Sequence, residues 1–239
     1  MYHSITFGEK NTWDDWHLIP VSRPLFNPPQ VKTSFVDIPG GDGIIDLTEA
    51  LSGRPLYKNR TGSIEFAVAN DYEEWFVIYS NIMNYLQGKV MRAILEDEPD
   101  YYYEGRFQVN AWKSDKNYSR ISIEYNVSPY KYSIFGSLDD WLWDTFNFET
   151  GIIRYYKNLQ VNGTLTINVV GMTMPTPLNI TSSRPMKVEQ RFDEDERVIT
   201  ASIPAGTSVI QEIIFYEGNN YLTFIGNGTI SIDFRGGIL

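Results

Sequence analysis

A chain of 239 residues with 42% hydrophobic and 15% aromatic content carries enough apolar side chain for one large or two ordinary domains, which excludes a disordered protein. Its net charge of −10 is shared evenly: 13 Lys+Arg face 18 Asp+Glu up to Ile134, and 7 face 12 from Phe135 onward, so no basic stripe exists for specific nucleic-acid binding. The absence of cysteine removes disulfides, thiolate metal sites and cysteine nucleophiles, and it fits assembly in a reducing cytoplasm.

In chain order, MYHSITFGEK has neither the basic start nor the apolar core of a signal peptide. No apolar run nears the roughly 20 residues of a bilayer span, so no membrane partner is expected. Ile5-Thr6-Phe7 alternates into a turn at Gly8, and Trp16 to Val21 predicts a short extended piece ended by Arg23-Pro24. Asn27-Pro28-Pro29 is a rigid connection, because proline fixes φ and cannot donate to a ladder. Val31 to Ile38 predicts a strand that breaks at Pro39-Gly40-Gly41-Asp42-Gly43. Three glycines within four residues supply positive φ, yet neither GxxxxGK[ST] nor GxGxxG is present. The run is therefore read as a corner between β elements and not as a phosphate cradle. Ile44-Ile45 follow it, then an acidic turn from Asp46 to Glu49 and a second break at Gly53-Arg54-Pro55.

Ser63 to Ala69 alternates, with Ile64, Phe66 and Val68 on one face. One helix is predicted over about 71–87. Tyr72, Trp75, Phe76, Tyr79, Ile82, Met83 and Leu86 form one broad apolar stripe, Asn70 or Asp71 caps the start, Glu73 and Glu74 favour the dipole, and Gly88 stops it. That stripe is read as packing onto a sheet. Strands follow at Lys89–Leu95, Tyr101–Ala111 and Arg120–Val127, joined by the turns Glu96-Asp97-Glu98-Pro99-Asp100 and Ser114-Asp115-Lys116-Asn117. The last of these strands alternates cleanly, Ile121, Ile123, Tyr125 and Val127 against Ser122, Glu124 and Asn126.

From Phe135 the character changes. Phe135-Gly136-Ser137 reads as a linker, and strands with no helix signal succeed it: 151–156, 163–170, 178–182, 186–191, 197–203, 212–216, 221–225 and 229–234. Their turns include Asn162-Gly163, Gly218-Asn219-Asn220 and Gly226-Asn227-Gly228. Many short strands with regular turn signals predict a β-sandwich. The fold class is thus mainly β, with an α+β domain over 1–134 and a sandwich over 135–239.

Chemistry is thinly provided. His3 and His17 have no spaced partner for a metal or a triad. The acids at 96–100 and 193–196 read as turns, so no catalytic residue, metal or cofactor is assigned and an enzyme is not expected. Trp141 and Trp143, two apart on a strand and near Phe146 and Phe148, would offer an aromatic platform for sugar rings if exposed. The alternative is that they fill a core or a junction.

DIPGGDGIIDLTEALSGRPLYKNR, together with ITFGEKNTWDDWHLIP, GSIEFAVAN, LEDEPDYYYEGRFQV, SPYKYSI and the tail ISIDFRGGIL, resembles the distal tail proteins of long-tailed, siphovirus-type phages and prophages. The likeness covers the first 135 residues well and the remainder loosely, and the order of the segments makes it specific. It implies a split-barrel-like, ring-forming N-terminal domain and a galectin-like or carbohydrate-module-like sandwich. It also implies a hub, hexameric around a DNA channel, joining the tail tube protein to the baseplate or to a tail-associated fibre or lysin protein. Such a protein is made in the bacterial host cytoplasm and carried in the virion tail. The expected docking residues are Ile44, Ile45 and Leu47, apolar where a turn should be polar, with Tyr101, Tyr102, Tyr103 and Arg106. The rival reading is a carbohydrate-binding module that recognises host wall polysaccharide through Trp141 and Trp143.

Overall fold

The computed structural model describes residues 2–68, 75–113, 119–139, 155–192 and 195–239, and among these more than half of the residues lie in strands and there is a single helix. It divides into two compact units after Lys131. In the first unit, β1 (Ile5–Phe7), β2 (Lys10–Asn11), β3 (Leu18–Pro20), β4 (Phe35–Asp37), β5 (Ile44–Asp46) and β6 (Arg60–Val68) precede α1 (Trp75–Leu86). After α1 come β7 (Lys89–Leu95), β8 (Glu98–Lys113) and β9 (Arg120–Val127). Seven of these strands form an antiparallel sheet in the order β2-β1-β7-β8-β9-β6-β3. Its two ends are consecutive in the chain, and the Leu18 N–H donates to the Thr12 carbonyl at 2.8 Å. That bond brings β3 back to the end of β2, so the two ends of the curled, barrel-like sheet meet there.

Alternation decides what fills the barrel. Ile121, Ile123, Tyr125 and Val127 of β9 all point into the core with Phe7, Phe66 and Phe107, as the sequence pattern predicts. Helix α1 covers this core with Trp75, Ile82 and Leu86, and Gly88, at φ +67°, ends it. Phe76 is not part of that stripe. It stands 60% exposed, because one helical step of 100° carries it away from Trp75 and Tyr79. The proposed caps at Asn70 to Glu74 lie outside the described residues. Gly105 of β8 sits where a Cβ would run into the backbone of Asn126 and Val127, so the β8–β9 crossing requires glycine there.

The acidic turn expected after β7 is present at Glu96 and Asp97, with Glu96 exposed, and it has a second role. β8 begins already at Glu98, leaving Glu96 and Asp97 as the connection, and both carboxylates hold the N-terminal segment. Glu96 accepts from the Ser4 N–H at 2.8 Å and from the Ser4 hydroxyl at 3.1 Å. Asp97 accepts from Arg23 Nε at 2.8 Å and contacts His3 Nδ1 at 2.9 Å. The Arg23 guanidinium, then the His3 ring, hold the Asp97 carboxyl below the ordinary carboxylate range, and the Ser4 backbone N–H does the same for Glu96. A carboxyl lowered by folding stabilises the protein fully above its unfolded pKa and stops doing so as pH falls through the folded value. Denaturant midpoints are therefore expected to be level in this respect above about pH 5 and to fall below about pH 4. Asp97→Asn should be less stable at neutral pH and lose part of that acid dependence.

In the second unit, after β10 (Lys131–Ser133) at the boundary, come β11 (Leu159–Gly171), β12 (Thr176–Ser182) and β13 (Met186–Phe192). β14 (Asp195–Ile203), β15 (Gly206–Phe215), β16 (Gly218–Asp233) and β17 (Gly237–Ile238) complete it. One sheet runs β14-β13-β16-β12-β15, with β11 also on β16. β16 is a single sixteen-residue strand where two strands and a Gly226-Asn227-Gly228 turn were expected. It pairs with β11 from Gly218 to Ile230, with β13 over Tyr221–Ile225, and with β12 over Ile230–Asp233. The glycines mark a bend inside it. Gly226 has φ +152° and lies where a Cβ would be 2.7 Å from that of Met186. The predicted Asn162-Gly163 turn sits directly across the ladder, Gly163 N–H donating to Asn227 Oδ1 at 3.0 Å, so both strands fold over together. The resulting layers enclose Val161, Val188, Ile213, Phe215, Leu222, Phe224 and Ile232.

Two buried amides tie the layers. Gln190 Nε2 donates to the Ile214 carbonyl at 2.7 Å, joining β13 to β15 across the core. Asn220 Nδ2 donates to the carbonyls of Val169, Tyr216 and Gly218, while its Oδ1 accepts from the Tyr216 N–H at 3.0 Å. Phe135-Gly136-Ser137 is not a free linker either. Ser137 is buried, donates to the Ile232 carbonyl at 2.6 Å and accepts from the Phe234 N–H at 2.7 Å. Of the strand predicted over 151–156, residues 151–154 lie outside the described residues, and Tyr155 and Tyr156 are not in a strand.

Candidate docking surfaces

Residues 30–58 leave the barrel as an arm. Its root is laced by Lys58 N–H to Gln30 O and Lys32 N–H to Leu56 O, both 2.7 Å, and further out Leu47 N–H reaches Ser34 O at 2.8 Å. β4 and β5 then pair with each other alone, in the register Phe35–Asp46, Val36–Ile45 and Asp37–Ile44. Only three residues of the predicted strand 31–38 are regular. Gly40 and Gly43 turn the tip with φ of +74° and +88°. Asp46 accepts from the Thr48 N–H at 2.8 Å, and the Thr48 hydroxyl and N–H hold its carboxyl below the usual range.

The arm's base is locked by Arg60. Its guanidinium is buried, donates to Pro129 O at 2.8 Å and Asn27 O at 3.2 Å, and lies over the Tyr103 ring at 5.5 Å. Burial lowers the Arg60 pKa and, with Glu98 near, pushes the Tyr103 hydroxyl up to about 12. Asn27, on the other side of the root, donates its N–H to Tyr125 Oη at 2.8 Å. A rigid base thus carries an arm without a core of its own.

The arm's apolar side chains face water: Phe35, Val36, Ile38, Ile44, Ile45 and Leu47 are each exposed by about two-fifths or more, and Leu51 entirely. Val36 and Ile45 share one face of the hairpin, and Phe35 and Ile44 the other. A two-stranded ribbon is marginal alone, and this one exposes apolar groups on both faces. The predicted docking residues Ile44, Ile45 and Leu47 all belong to it.

The second predicted segment divides. Arg106 is exposed and donates to the Gly88 carbonyl, and Tyr101 is half-buried beneath the Lys131 ammonium. Tyr102 and Tyr103 are 5% and 6% exposed. The Tyr102 ring lies under the Arg92 guanidinium, and that of Tyr103 packs on Phe26 at 4.1 Å. Tyr103 is therefore part of the barrel core, while Tyr102, on the opposite face of β8, lies outside that core, and within the single chain both rings are largely covered. Sequence reading missed Phe35, Val36 and Leu51, which flank the expected docking loop from Asp37 to Leu47, although apolar residues in a turn-rich stretch were the available signal. It also missed a patch of Phe76, Val77 and Trp112, whose signal was absorbed into the helical stripe.

The outward face of β7, β8, β9 and β6 is of another kind. Arg92 meets Glu104 at 3.4 Å, Gln108 meets Glu124 at 2.9 Å, and Arg120 meets Glu65 at 3.7 Å. Exposed pairs like these contribute little stability but keep a sheet face wet. Trp141 and Trp143 lie outside the described residues, as do Phe146 and Phe148. Among the described residues no three His, Cys, Asp or Glu side chains gather as a metal site, and no helix is long and apolar enough to cross a membrane.

No protein-family model and no curated protein matches the chain. Among solved structures it is similar to the crystal structure of the SPP1 Dit (gp 19.1) protein, described as a paradigm of the hub adsorption apparatus in phages that infect Gram-positive bacteria. The match covers 99% of both chains with a TM-score of 0.60 at 13% identity. The shared property is the fold, over its whole length.

Proposed function

We propose that this chain is a structural component of a phage tail, a hub whose copies close into a ring around the DNA channel and join the tail tube to the baseplate or fibre. The carrying observation is the arm, a rigidly rooted hairpin with apolar side chains on both faces that its own barrel leaves uncovered. The fold likeness to SPP1 Dit, a hub protein, supports the same reading. A ring needs head-to-tail contacts between different surfaces, and an arm that reaches beyond its own barrel supplies one half of such a contact. The polar outward face of the barrel sheet is the part that can remain in water. A net charge of −10 suits a passage that lets DNA slide without sticking.

Tail tube protein, a tail-associated fibre or lysin protein and further copies of itself are the partners of this reading. The virion tail is then its place, after synthesis in the host cytoplasm. The test is absolute mass by light scattering with negative-stain images of the same peak. The expected species is a hexamer of about 166 kDa, six times 27.6 kDa, with ring-shaped particles. A 27.6 kDa monomer at all concentrations, alone and with a tube protein added, overturns the ring.

A further inference from the structure

The second unit carries an open groove of about 580 Å³, lined by Thr166, Arg191, Phe192, Tyr221 and Thr223. Register explains why these residues meet. Thr223 pairs with Thr166 on one side and Glu189 on the other, and Tyr221 pairs with Asn168 and Arg191. Residues directly opposite in a ladder share a face, and Val188, Leu222 and Phe224, the alternate residues, are fully buried on the other. The groove therefore crosses the wet face of β11, β16 and β13, a span of about 10 Å at about 4.8 Å per strand. Phe192 follows Arg191 directly, and strict alternation would turn it away. The β13–β14 ladder shifts register between these two residues, and both line the groove. Tyr216 backs Phe192, with ring centroids 6.3 Å apart.

The groove's polar groups have capacity to spare. The Thr166 and Thr223 hydroxyls share one hydrogen bond at 3.0 Å, which leaves one hydroxyl proton and further lone pairs for a ligand. Arg191, 66% exposed at its side chain, meets Glu189 at 3.7 Å, too long for a hydrogen bond, so that contact leaves the guanidinium fork open.

These features select among ligands. A polyanion needs several cations along its track, and here one arginine stands beside one glutamate. A protein partner needs an apolar centre free of charge, and here threonines, an asparagine and that charged pair occupy the rows around Tyr221. A sugar ring has an apolar face of C–H groups and a rim of hydroxyls that donate and accept together. Aromatic side chains take the first, and threonine hydroxyls with an arginine fork take the second. The volume lies within the range of about 300–1,000 Å³ usual for small-ligand sites.

We propose that this groove binds a short neutral oligosaccharide, packed on Tyr221 and Phe192 and hydrogen-bonded by Thr166, Thr223 and Arg191. The site uses neither Trp141 nor Trp143 and needs no second copy, so it stands or falls apart from the ring.

The test is calorimetric titration of the full chain with disaccharides and trisaccharides of glucose, galactose, rhamnose and N-acetylglucosamine, and with polyglycerol phosphate as the polyanion. At least one neutral saccharide is expected to bind with a Kd of about 1 mM or tighter. Arg191→Ala and Tyr221→Ala should each weaken it about tenfold, whereas Tyr221→Phe, which keeps the ring, should stay close to the parent. Both positions lie on the wet face, so melting curves should be retained, and Arg191→Ala alone keeps the test readable if Tyr221→Ala unfolds. A chain with Trp141→Ala and Trp143→Ala should bind as the parent does. Three results overturn the groove: no heat with any saccharide, a response to polyglycerol phosphate alone, or binding lost with the two tryptophans and kept without Arg191 and Tyr221. None of them bears on the ring, which the mass measurement decides.

Discussion

A chain with Ile44→Asp and Ile45→Asp is expected to fold as before and to fail to assemble. Both side chains are about half exposed and belong to strands that pair only with each other, so the barrel core does not register the change. Surface substitutions of this kind move folding stability by about 0.5 kcal/mol or less. In the proposed ring the same positions are covered. Withdrawing two isoleucines and burying two carboxylates there costs about 4 kcal/mol or more per contact, roughly a thousandfold in affinity. Ring particles should give way to 27.6 kDa monomers by light scattering, with the circular-dichroism melting curve unchanged. Asp at position 44 also faces Asp37 across the ribbon, a like-charge pair that loosens the hairpin itself. An Ile44→Ser, Ile45→Ser chain separates the two effects, since it removes the apolar contact without adding charge. An intact ring in both variants would remove these residues from the interface.

The largest loss of stability is expected from Asn220→Leu. The two side chains branch alike with the same number of heavy atoms, so the change is chiefly one of hydrogen bonding, with the bulk of two methyl groups added to it. Asn220 is 2% exposed, and its amide satisfies three carbonyls and one backbone N–H on β11, β16 and the segment between β15 and β16. It also accepts from Gln190 Nε2 at 3.3 Å, which extends the network to β13. Leucine leaves the Val169 carbonyl buried without this partner and removes the part-buried bonds to Tyr216 and Gly218, at about 1–3 kcal/mol for each group that water cannot reach. A total of about 4 kcal/mol is expected, enough to unfold a unit of ordinary marginal stability. Urea unfolding of the variant measures it, and a loss under about 1 kcal/mol would show that the backbone finds other partners.

Local pattern was readable wherever one face of an element is buried and the other wet. β9 was predicted residue for residue, because its alternation answers only to the barrel core. Gly88 announced the end of α1 for a reason that is also local, a positive φ. What escaped were relations between distant residues. Glu96 and Asp97 read as a polar turn because their partners Ser4, His3 and Arg23 lie more than seventy positions away. Gly226-Asn227-Gly228 has the grammar of a turn, and only the continuous β11 ladder opposite makes it a bend. Asn220 belonged to a predicted turn for the same reason that it works in the core: its short amide bonds nearby backbone in either setting. In the candidate docking surface, Ile44 and Ile45 were conspicuous as apolar residues beside glycines. Phe76 was not, since helical spacing alone places it near the stripe that α1 buries.

The strand order of the barrel also sets when it can form. Ile5 pairs with Leu95, and β6 waits for β9, which ends at Val127. A ribosome emitting this chain therefore releases its earliest strands long before their neighbours exist, and the apolar arm emerges among them. Such non-local pairing slows folding and lengthens the time during which sticky segments are unprotected. Newly made copies thus pass through a vulnerable interval that ends only with barrel closure, and chaperone demand during a burst of synthesis follows from topology alone.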